Sequence, residues 1–381
     1  MHDVRELFRA RFGREPLVVR SPGRVNLIGE HTDYNEGFVL PAAVDRAITL
    51  AAALNGRRTG LLVAADLDEQ AECDPDRIVR SDRGWPNYLL GVVEQLRKRV
   101  VEVPGFDCVF GGDIPAGAGM SSSAAIETAL AFALDELLAL GLDRVTLARM
   151  AQSAEHELVG VRCGIMDQFA CLFGSAGHAL KLDCRTLAFE LVPFAFPDVR
   201  IVLCDSGVKH ALAGSEYNLR RAQCEAGVAA LQRFRPGIRS LRDVDCALLA
   251  AHRDALDPVV ARRCRFVVEE NERLLTGCQE LARGDLAAFG ERMYGSHAGL
   301  RDDYEVSCPE LDALVEIARP LPGVIGARMM GGGFGGCTIN LVRGDAVERF
   351  ARGVEHEYGQ RTGRDTRVFV TSITGGTAIE A

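Results

Sequence analysis

The sequence has 381 residues, more than one compact core usually contains, so two domains are expected. Hydrophobic residues make up 48% and charged residues 25% of the chain, a balance typical of globular rather than disordered proteins. The formal net charge is −9, and the lysines and arginines are spread along the chain, which excludes a duplex nucleic-acid binder with a basic face.

The amino-terminal segment and the cysteines indicate a cytoplasmic protein. Residues 1–13 are charged from the third position and place Val4, Leu7 and Phe8 on one helical face, so they predict a surface helix rather than a signal peptide. No uncharged apolar stretch reaches the ~18 residues of a membrane span. None of the twelve cysteines belongs to a Cys-x-x-Cys pair, and buried free thiols are expected. The chain is also expected to be a monomer without membrane or nucleic-acid partners.

The predicted elements change in character near residue 198. The first part is predicted to contain strands at 17–28, 44–54 and 106–110, helices at 122–140 and 146–158, and two strand-like runs in 179–192. The second part is predicted to contain strands at 199–204, 324–329, 337–342 and 367–373, and helices at 216–233, 258–283, 285–297, 309–318 and 345–360. Strands mixed with runs of helices predict an α+β fold, with one domain at 1–198 and a second at 199–381.

A polar segment separates the first two strand candidates. It runs from Ser21 to Tyr34 and holds Glu30, His31 and Asp33 within four positions. Ionised carboxylates accept several hydroxyl hydrogen bonds and reject ligands that lack the hydroxyl, so this pattern favours a polyhydroxylated ligand. The alternative is a solvated surface loop.

A second polar segment, from Gly111 to Ala125, lies between a strand and a long helix. Its glycines leave backbone N–H groups free to approach an anion, and the start of the helix adds a partial positive charge. The segment is not the common P-loop, because it lacks Gly-Lys-Ser/Thr. We expect a phosphate cradle of backbone amides and serine hydroxyls. The alternative is a turn in which one serine caps the helix.

A third glycine-rich segment runs from Met329 to Cys337. It contains Gly-x-Gly-x-x-Gly at Gly331, Gly333 and Gly336, the pattern of dinucleotide-binding folds. That fingerprint should open a helix, whereas residues 337–342 read as a strand, so a dinucleotide oxidoreductase is disfavoured. The segment is better interpreted as a loop whose backbone passes close to another segment.

Asp167 is an isolated carboxylate in the apolar stretch from Cys163 to Leu172. It is a candidate general base, because burial and neighbouring charge set the reactivity of such a group. The alternative is a helix N-cap.

Taken together, these segments resemble the GHMP kinase family, and within it the branch that phosphorylates galactose. The resemblance covers nearly the whole chain and includes five segments in the same order. They are Gly29 to Tyr34, Pro115 to Ala125, Cys163 to Gln168, Ser215 to Tyr217, and Met330 to Cys337. A shared order is far more specific than any one segment. It implies a two-domain fold with the active site in the cleft between the domains.

The resemblance also implies roles for individual residues. Asp167 would be the catalytic base, and Arg24 the cation that stabilises the transferring phosphoryl group. Contacts to galactose would come from Glu30, His31, Thr32, Asp33, Gly164 and Tyr217. Contacts to ATP would come from Gly117, Ala118, Gly119, Met120, Ser121, Ser122 and Ser123, with Trp85 against the adenine. Ser123 and Glu155 would hold Mg²⁺ directly or through water. Trp85 is equally interpretable as a packed core residue.

The implied reaction is transfer of the ATP γ-phosphoryl group to the C1 hydroxyl of galactose. Two alternatives remain open: a kinase for a related sugar such as N-acetylgalactosamine, arabinose or galacturonate, and a non-catalytic regulator that binds galactose and ATP. Two positions depart from the family pattern. Met120 replaces the usual leucine, a volume-conserving change, and Glu36 stands where a glycine is common, adding charge near the predicted sugar loop.

Overall fold

A computed structural model of the chain describes residues 3–99, 102–115, 117, 119–208 and 213–380. Helices and strands are mixed throughout, as in the predicted α+β class. In the described ranges, no helix is both long and apolar enough to cross a membrane.

The first half of the chain supplies most of a six-stranded sheet. The strands in this half of the chain are β1 (Leu17–Asn26), β2 (Phe38–Val39), β3 (Pro41–Leu54), β4 (Gly60–Ala64), β5 (Glu69–Cys73), β6 (Phe106–Gly112), β7 (His178–Asp183) and β8 (Phe189–Pro193). The large sheet has the order β13–β1–β3–β6–β4–β5, in which β13 is the last strand of the chain (Ala378–Ile379). Only β4 and β6 pair in parallel in this sheet. Strands β2, β7 and β8 form a small separate sheet.

Five helices accompany these strands: α1 (Val4–Phe12), α2 (Pro86–Arg97), α3 (Ser122–Leu138), α4 (Arg144–Ala154) and α5 (Met166–Phe173). The carboxylate of Asp3 caps α1, and Gly13 ends it in the left-handed conformation. Alanines on α3 let this helix approach β1 and β3 closely, and it is buried over most of its length. Helix α4 continues into a single π-helical turn at Glu155–Val159.

The second half is built on a four-stranded antiparallel sheet of order β10–β11–β9–β12. Its strands are β9 (Val199–Asp205), β10 (Val324–Met329), β11 (Cys337–Arg343) and β12 (Arg367–Thr371). Its helices are α6 (Ala213–Leu231), α7 (Cys246–Ala251), α8 (Pro258–Ala282), α9 (Leu286–Asp302), α10 (Pro309–Ala318) and α11 (Val347–Thr362). Apolar side chains of β9 and β11, such as Leu203 and Ile339, join the core of the first sheet.

Most of the predicted elements agree with the structure. The hairpin of β4 and β5 and helices α2, α5 and α7 were not predicted. Most of these segments are short, but α2 was missed although Leu89, Val92, Val93 and Leu96 recur at helical spacing. β9, the first strand of the second sheet, begins at Val199, next to the predicted boundary. The final strand β13 nevertheless pairs with β1, so the predicted second domain ends in the sheet of the first. The division at 198 stays a prediction.

Candidate active site

The polar loop after β1 is buried. Glu30 is 1% exposed, His31 3% and Asp33 9%, so the alternative of a solvated surface loop is wrong. The chain leaves β1 at Asn26, passes through this loop and a short 3₁₀ turn at Asp33–Asn35, and re-enters a sheet at β2. Because charged groups this deeply buried need partners, their hydrogen bonds define what the site can do.

Glu30 is held by the second half of the chain. Its Oε1 accepts from Nη2 of Arg328 at 2.9 Å and from the backbone N–H of Gly331 at 2.8 Å. The Arg328 guanidinium is fully buried in β10 and also donates to the carbonyls of Leu27 and Met329. Arg328 therefore fixes the predicted sugar ligand Glu30 in place. The sequence analysis missed it, although it directly precedes the third glycine-rich segment.

Asp33 faces a position where only glycine fits. A Cβ added to Gly164 would lie 1.9 Å from the carboxyl carbon of Asp33, so a larger residue at 164 would displace this carboxylate. The Asp33 Oδ1 accepts from the backbone N–H of Tyr34 at 2.9 Å. Burial raises the pKa of Asp33 to about 7, and the negative charge of Asp167 adds to the rise.

His31 lies among aromatic side chains. Its ring centroid is 5.1 Å from that of Tyr217 and 5.8 Å from that of Tyr34. Its Nε2 lies 3.2 Å from the carbonyl oxygen of Gly332 in the third glycine-rich loop. Burial lowers the pKa of His31 to about 3, so the ring is neutral at physiological pH. The predicted sugar contacts His31 and Tyr217 are thus brought together.

Arg24 and Asp167 form a bidentate pair. Nε of Arg24 donates to Oδ1 of Asp167 and Nη2 donates to Oδ2, both at 2.8 Å. The register of β1 shifts between Pro22 and Arg24, and such a bulge re-aims the side chain next to it. Asp167 is in the first turn of α5 without capping that helix, so the N-cap alternative is wrong. Burial alone would lower the pKa of Arg24, but the charge of Asp167 raises it above its ordinary value.

The predicted phosphate loop ends beside this pair. Ser121 has a left-handed backbone (φ 59°, ψ 56°) and makes no side-chain cap to α3. Its hydroxyl donates to Oδ2 of Asp167 instead, and Nη1 of Arg24 donates to the carbonyl of Gly119. The predicted turn with a capping serine is therefore wrong for Ser121. Ala118 lies outside the described residues.

The first turn of α3 places more of the predicted phosphate ligands. Ser122 and Ser123 are partly buried at this helix start, where unpaired N–H groups and the helix dipole favour an anion. The backbone carbonyl of Met120 accepts from the N–H of Arg24 at 3.1 Å. Direct phosphate contacts by Gly117, Gly119 and the three serines stay predictions.

The third glycine-rich loop packs against the phosphate loop. A Cβ at Gly331 would lie 3.5 Å from the carbonyl of Gly119, and one at Gly336 would lie 3.4 Å from that of Gly117. A Cβ at Gly333 would lie only 2.2 Å from the carbonyl of Val306. The loop enters strand β11 and opens no helix. The interpretation as a closely approaching backbone is confirmed.

Glu155 lines the cavity described below, and it shares a hydrogen-bond donor with a second buried carboxyl group, that of Glu127. Nε2 of Gln168 donates to Glu155 at 3.0 Å and to Glu127 at 3.2 Å. Burial and then the charge of Asp167 raise the pKa of Glu155 to about 7. Burial and the charge of Glu155 raise that of Glu127 well above its usual value. The sequence analysis did not identify Glu127 or Gln168 as site residues.

The donor chemistry of the two predicted metal ligands, Glu155 and Ser123, fits Mg²⁺. Glu155 and the hydroxyl of Ser123 are hard oxygen donors of the kind that Mg²⁺ prefers. Burial, and then the charge of Asp167, raises the pKa values of Asp33 and Glu155, so a bound cation would stabilise the ionised form of these groups. The described residues contain no group of three or more His, Cys, Asp or Glu side chains able to hold a metal ion. Phosphate oxygens would then have to complete the coordination, as is usual for Mg²⁺.

Some residues of the sequence analysis do not line the cavity described below, among them Thr32, Trp85 and Glu36. The hydroxyl of Thr32 faces the backbone carbonyls of Gly29 and Phe38, so it shapes the loop. Trp85 donates from Nε1 to Glu69 at 2.7 Å, and its contact with adenine stays a prediction. Glu36 adopts the left-handed φ of 57° that glycine would accept and pairs with Arg185 at 2.7 Å.

A cavity of about 140 Å³ joins these groups. Its walls are Arg24, Glu30, His31, Asp33, Glu155, Val161, Cys163, Gly164, Met166, Asp167, Tyr217, Gly331 and Gly332. Several carboxyl groups and the guanidinium of Arg24 therefore lie together at the end of the predicted phosphate loop. Such a site can hold a polyhydroxylated ligand, orient one hydroxyl on Asp167 and neutralise charge that develops beside it.

Comparison with protein families gives three matches. The galactokinase galactose-binding signature covers residues 6–54, the GHMP kinase N-terminal domain covers residues 87–175, and the GHMP kinase C-terminal domain covers residues 279–360. The first contains Arg24 and the Glu30–Asp33 loop. The second contains the phosphate loop, Glu155 and Asp167, and the third contains the last glycine-rich loop.

Similar proteins span the whole chain. The galactokinase of Roseiflexus sp. (strain RS-1) is 48% identical over 98% of this chain and 96% of its own length. The Homo sapiens galactokinase is 44% identical over 94% of this chain and 92% of its own. The Lactococcus lactis galactokinase, solved with galactose, superposes with a TM-score of 0.94 at 37% identity, covering 99% of this chain and 98% of that one. The Methanococcus jannaschii mevalonate kinase shares the fold, with a TM-score of 0.66 at 18% identity, covering 95% and 99%.

Proposed function

This chain belongs to the galactokinase family of the GHMP kinases, and from that premise we propose how its site transfers the γ-phosphoryl group of ATP to the C1 hydroxyl of galactose. The observation that carries the proposal is the contact of Arg24, Asp167 and Ser121, which joins the sugar cavity to the phosphate loop. In phosphoryl transfer, the protein acts mainly by positioning the reactants and neutralising charge.

The sugar side of the site is rich in acceptors. Glu30 and Asp33 would accept hydrogen bonds from galactose hydroxyls, and the ring of Tyr217 would cover the sugar. Arg328 occupies one oxygen of Glu30, so the other is available to a ligand. A hydroxyl missing from a competing sugar would leave one of these buried carboxylates unpaired, which is the usual basis of strong discrimination.

Asp167 would receive the C1 hydroxyl through one particular oxygen. Among the residues that the structure describes, its Oδ2 accepts from Arg24 and Ser121, whereas its Oδ1 accepts from Arg24 alone. Each carboxylate oxygen has about two acceptor positions, so Oδ1 is the oxygen open to the substrate. It would orient the hydroxyl and take its proton as the phosphoryl group is transferred.

Arg24 would stabilise the transferring group. A guanidinium carries five N–H donors, and three are used on Asp167 and Gly119. In the described part of the chain no partner takes the two that remain, and they would contact phosphoryl oxygens. Gly117, Gly119 and the start of α3 with Ser122 and Ser123 would hold the rest of the triphosphate.

Ser123 and Glu155 would hold Mg²⁺, which supplies charge neutralisation at the phosphate oxygens when it is bound. Gln168 keeps Glu155 oriented by donating to its Oε2. The lysine-free phosphate loop is then compensated by the metal, by Arg24 and by backbone amides.

The test of the proposal is Asp167→Asn in single-turnover kinetics with ATP and galactose. The variant keeps the shape but loses the base and one acceptor for Arg24, so we expect transfer to slow by about 100-fold or more. Asp76→Asn is the control, since Asp76 forms a similar pair with Arg58 on the surface. Transfer at a near-normal rate in Asp167→Asn would contradict the role of the base.

The choice of sugar has its own test. ADP release would be measured with galactose, talose, arabinose, N-acetylgalactosamine and galacturonate. We expect galactose to have the highest kcat/KM. A higher value for one of the other sugars would retain the kinase assignment and reject galactose as the preferred substrate.

A further inference from the structure

A row of buried and partly buried polar groups leads from Nδ1 of His31. The hydroxyl oxygen of Tyr34 is 2.8 Å from Nδ1 of His31 and 2.6 Å from the hydroxyl oxygen of Tyr304. The Tyr304 oxygen is 3.2 Å from Sγ of Cys224. Tyr304 is fully buried, and neither tyrosine lines the cavity. The sequence analysis gave neither tyrosine a role.

The contact between His31 and Gly332 determines which group donates in each hydrogen bond of this row. Nε2 of His31 faces the carbonyl oxygen of Gly332, which can only accept. Nε2 must therefore carry the proton, and the neutral ring then has an accepting Nδ1. It follows that the Tyr34 hydroxyl donates to His31 and that the Tyr304 hydroxyl donates to Tyr34. The opposite direction would place a bare Nε2 against the Gly332 carbonyl.

We propose that Tyr34 and Tyr304 are positioning residues that keep the proton of His31 on Nε2, so that the ring offers the sugar a hydrogen-bond donor. The identity of the ligand as galactose rests on the proposed function, whereas the proton position does not. Gly332 lines the cavity together with His31, so the protonated nitrogen is on the cavity side. The Nε2–H contact with Gly332 is 3.2 Å long, so a ligand oxygen beside Gly332 would share this N–H in a three-centre hydrogen bond without rotation of the ring.

The surroundings favour one neutral, fixed ring. Burial lowers the pKa of His31 to about 3, which removes the doubly protonated form near neutral pH. The Tyr304 ring packs 4.9 Å from the His31 ring, and Nδ2 of Asn35 donates to the His31 carbonyl at 2.9 Å. Glu30, Asp33 and Asp167 also line the cavity and can accept hydrogen bonds from the sugar. The Arg24 guanidinium lines it too, but three of its donors are used on Asp167 and Gly119. A fixed donor would let one sugar hydroxyl accept here while it donates to a carboxylate.

The proton position is tested directly by ¹⁵N NMR of the histidine side chains in the full chain without sugar. The resonance of His31 is assigned by its loss in His31→Gln. We expect the Nε2–H tautomer in the wild type and a measurable fraction of Nδ1–H in Tyr34→Phe, because Nδ1 has then lost its donor. Tyr358→Phe is the matched control, since it removes another buried hydroxyl, one that donates to the carbonyl of Ser206.

Two NMR results would overturn the proposal: an Nδ1–H or charged His31 in the wild type, or an unchanged tautomer in Tyr34→Phe. If Tyr34→Phe does not fold, Tyr304→Phe is the second variant and is expected to shift the same resonance by a smaller amount. The wild-type tautomer is measured with His31→Gln as the assignment variant and does not depend on the folding of either tyrosine variant.

Binding of sugar analogues tests the consequence for specificity. Deoxygalactoses and deoxyfluorogalactoses differ in that fluorine accepts a hydrogen bond weakly but neither group donates. At the ring position that faces His31, we expect the fluoro analogue to bind about five- to tenfold more tightly than the deoxy analogue. The difference should shrink in Tyr34→Phe and persist in Tyr358→Phe.

Equal binding of the two analogues at every ring position would overturn the donor role of His31. Absence of ADP release with galactose, together with an Nε2–H tautomer, would instead refute the proposed function and leave the proton position standing.

Discussion

Several residues around the site adopt a backbone conformation that side chains disfavour. His31, Ser121 and Phe334 have φ values of 61°, 59° and 60°, in the left-handed region where a non-glycine residue is strained. The His31 ring faces the cavity, and the Ser121 hydroxyl donates to Asp167. Phe334 is part of the third glycine-rich loop. Strain of this kind costs about 1–3 kcal/mol per residue and concentrates at functional sites.

The raised pKa of Asp33 predicts a pH dependence of stability. The pKa is about 7 in the folded protein and about 4 in the unfolded chain. Between these values the folded protein holds the extra proton, so the free energy of unfolding falls as pH rises, by up to about 1.4 kcal/mol per pH unit. Asp33→Asn should remove this contribution. The measurement is urea denaturation without ligands from pH 5 to pH 7.5.

At each pH, the free energy of unfolding of Asp33→Asn is subtracted from that of the wild type. The contributions of the titratable groups that both proteins share then cancel. Glu155 titrates in the same window in both proteins, so only the excess slope of the wild type is assigned to Asp33. Parallel slopes would contradict the raised pKa.

At the scale of elements, two glycine-rich loops and one helix start build the phosphate side of the site. Glycines let the third loop lie against its neighbours: a Cβ at Gly336 would lie 3.4 Å from the carbonyl of Gly117 in the phosphate loop, and one at Gly335 would lie 2.3 Å from the Val208 carbonyl. Helix α3 then presents its free N–H groups just beyond Ser121. The π-helical turn after α4 contains Glu155, and such turns are frequent at functional sites.

Gly333→Ala should disrupt the packing of the third glycine-rich loop. The new Cβ would lie 2.2 Å from the Val306 carbonyl, whereas a Cβ at Gly363 would have no atom within 4 Å. Both glycines have a left-handed φ, 82° and 69°. Gly363→Ala is therefore the control for backbone strain alone, expected to cost about 1–2 kcal/mol. Gly333→Ala should lower the melting temperature further and raise the KM for ATP.

If both alanine variants have the same melting temperature and the same KM for ATP, the third glycine-rich loop relaxes around the new Cβ without loss of stability. The close contact would then have no role in holding the nucleotide side of the site.

At the scale of the molecule, the two halves are joined at the site and at the end of the chain. Arg328 on β10 holds Glu30 from the loop after β1, and the terminal strand β13 pairs with β1. Apolar residues of both halves share one core. The sugar site is thus complete only when the second sheet has docked on the first.

Arg328→Met should strongly destabilise the protein, because it leaves Glu30 buried without its cation. Removing one partner of a buried pair typically costs about 3–5 kcal/mol. The matched control is Arg361→Met, whose pair with Glu316 is 2.7 Å long but about half exposed and should contribute less than about 1 kcal/mol. Denaturant unfolding measures both. A loss in Arg328→Met no larger than in the control would contradict the anchoring role.

The sequence by itself determined the long elements and the locations of the active-site segments. Helix α8 follows from apolar periodicity, because a helical face repeats within a few residues, and α3 follows from a long run rich in Ala and Leu. The Glu30–Asp33 loop, the phosphate loop and Asp167 were identified because polar and glycine-rich residues interrupt apolar runs.

Only the tertiary structure decided which groups meet, because contacts between distant residues carry no local sequence signal. The partners Arg328 and Glu30 are separated by 298 positions, and Tyr304 and Tyr34 by 270. It was also the fold that turned the hydroxyl of Ser121 toward Asp167 and that of Thr32 away from the cavity. A side chain's direction depends on backbone angles and neighbours that a residue type does not specify.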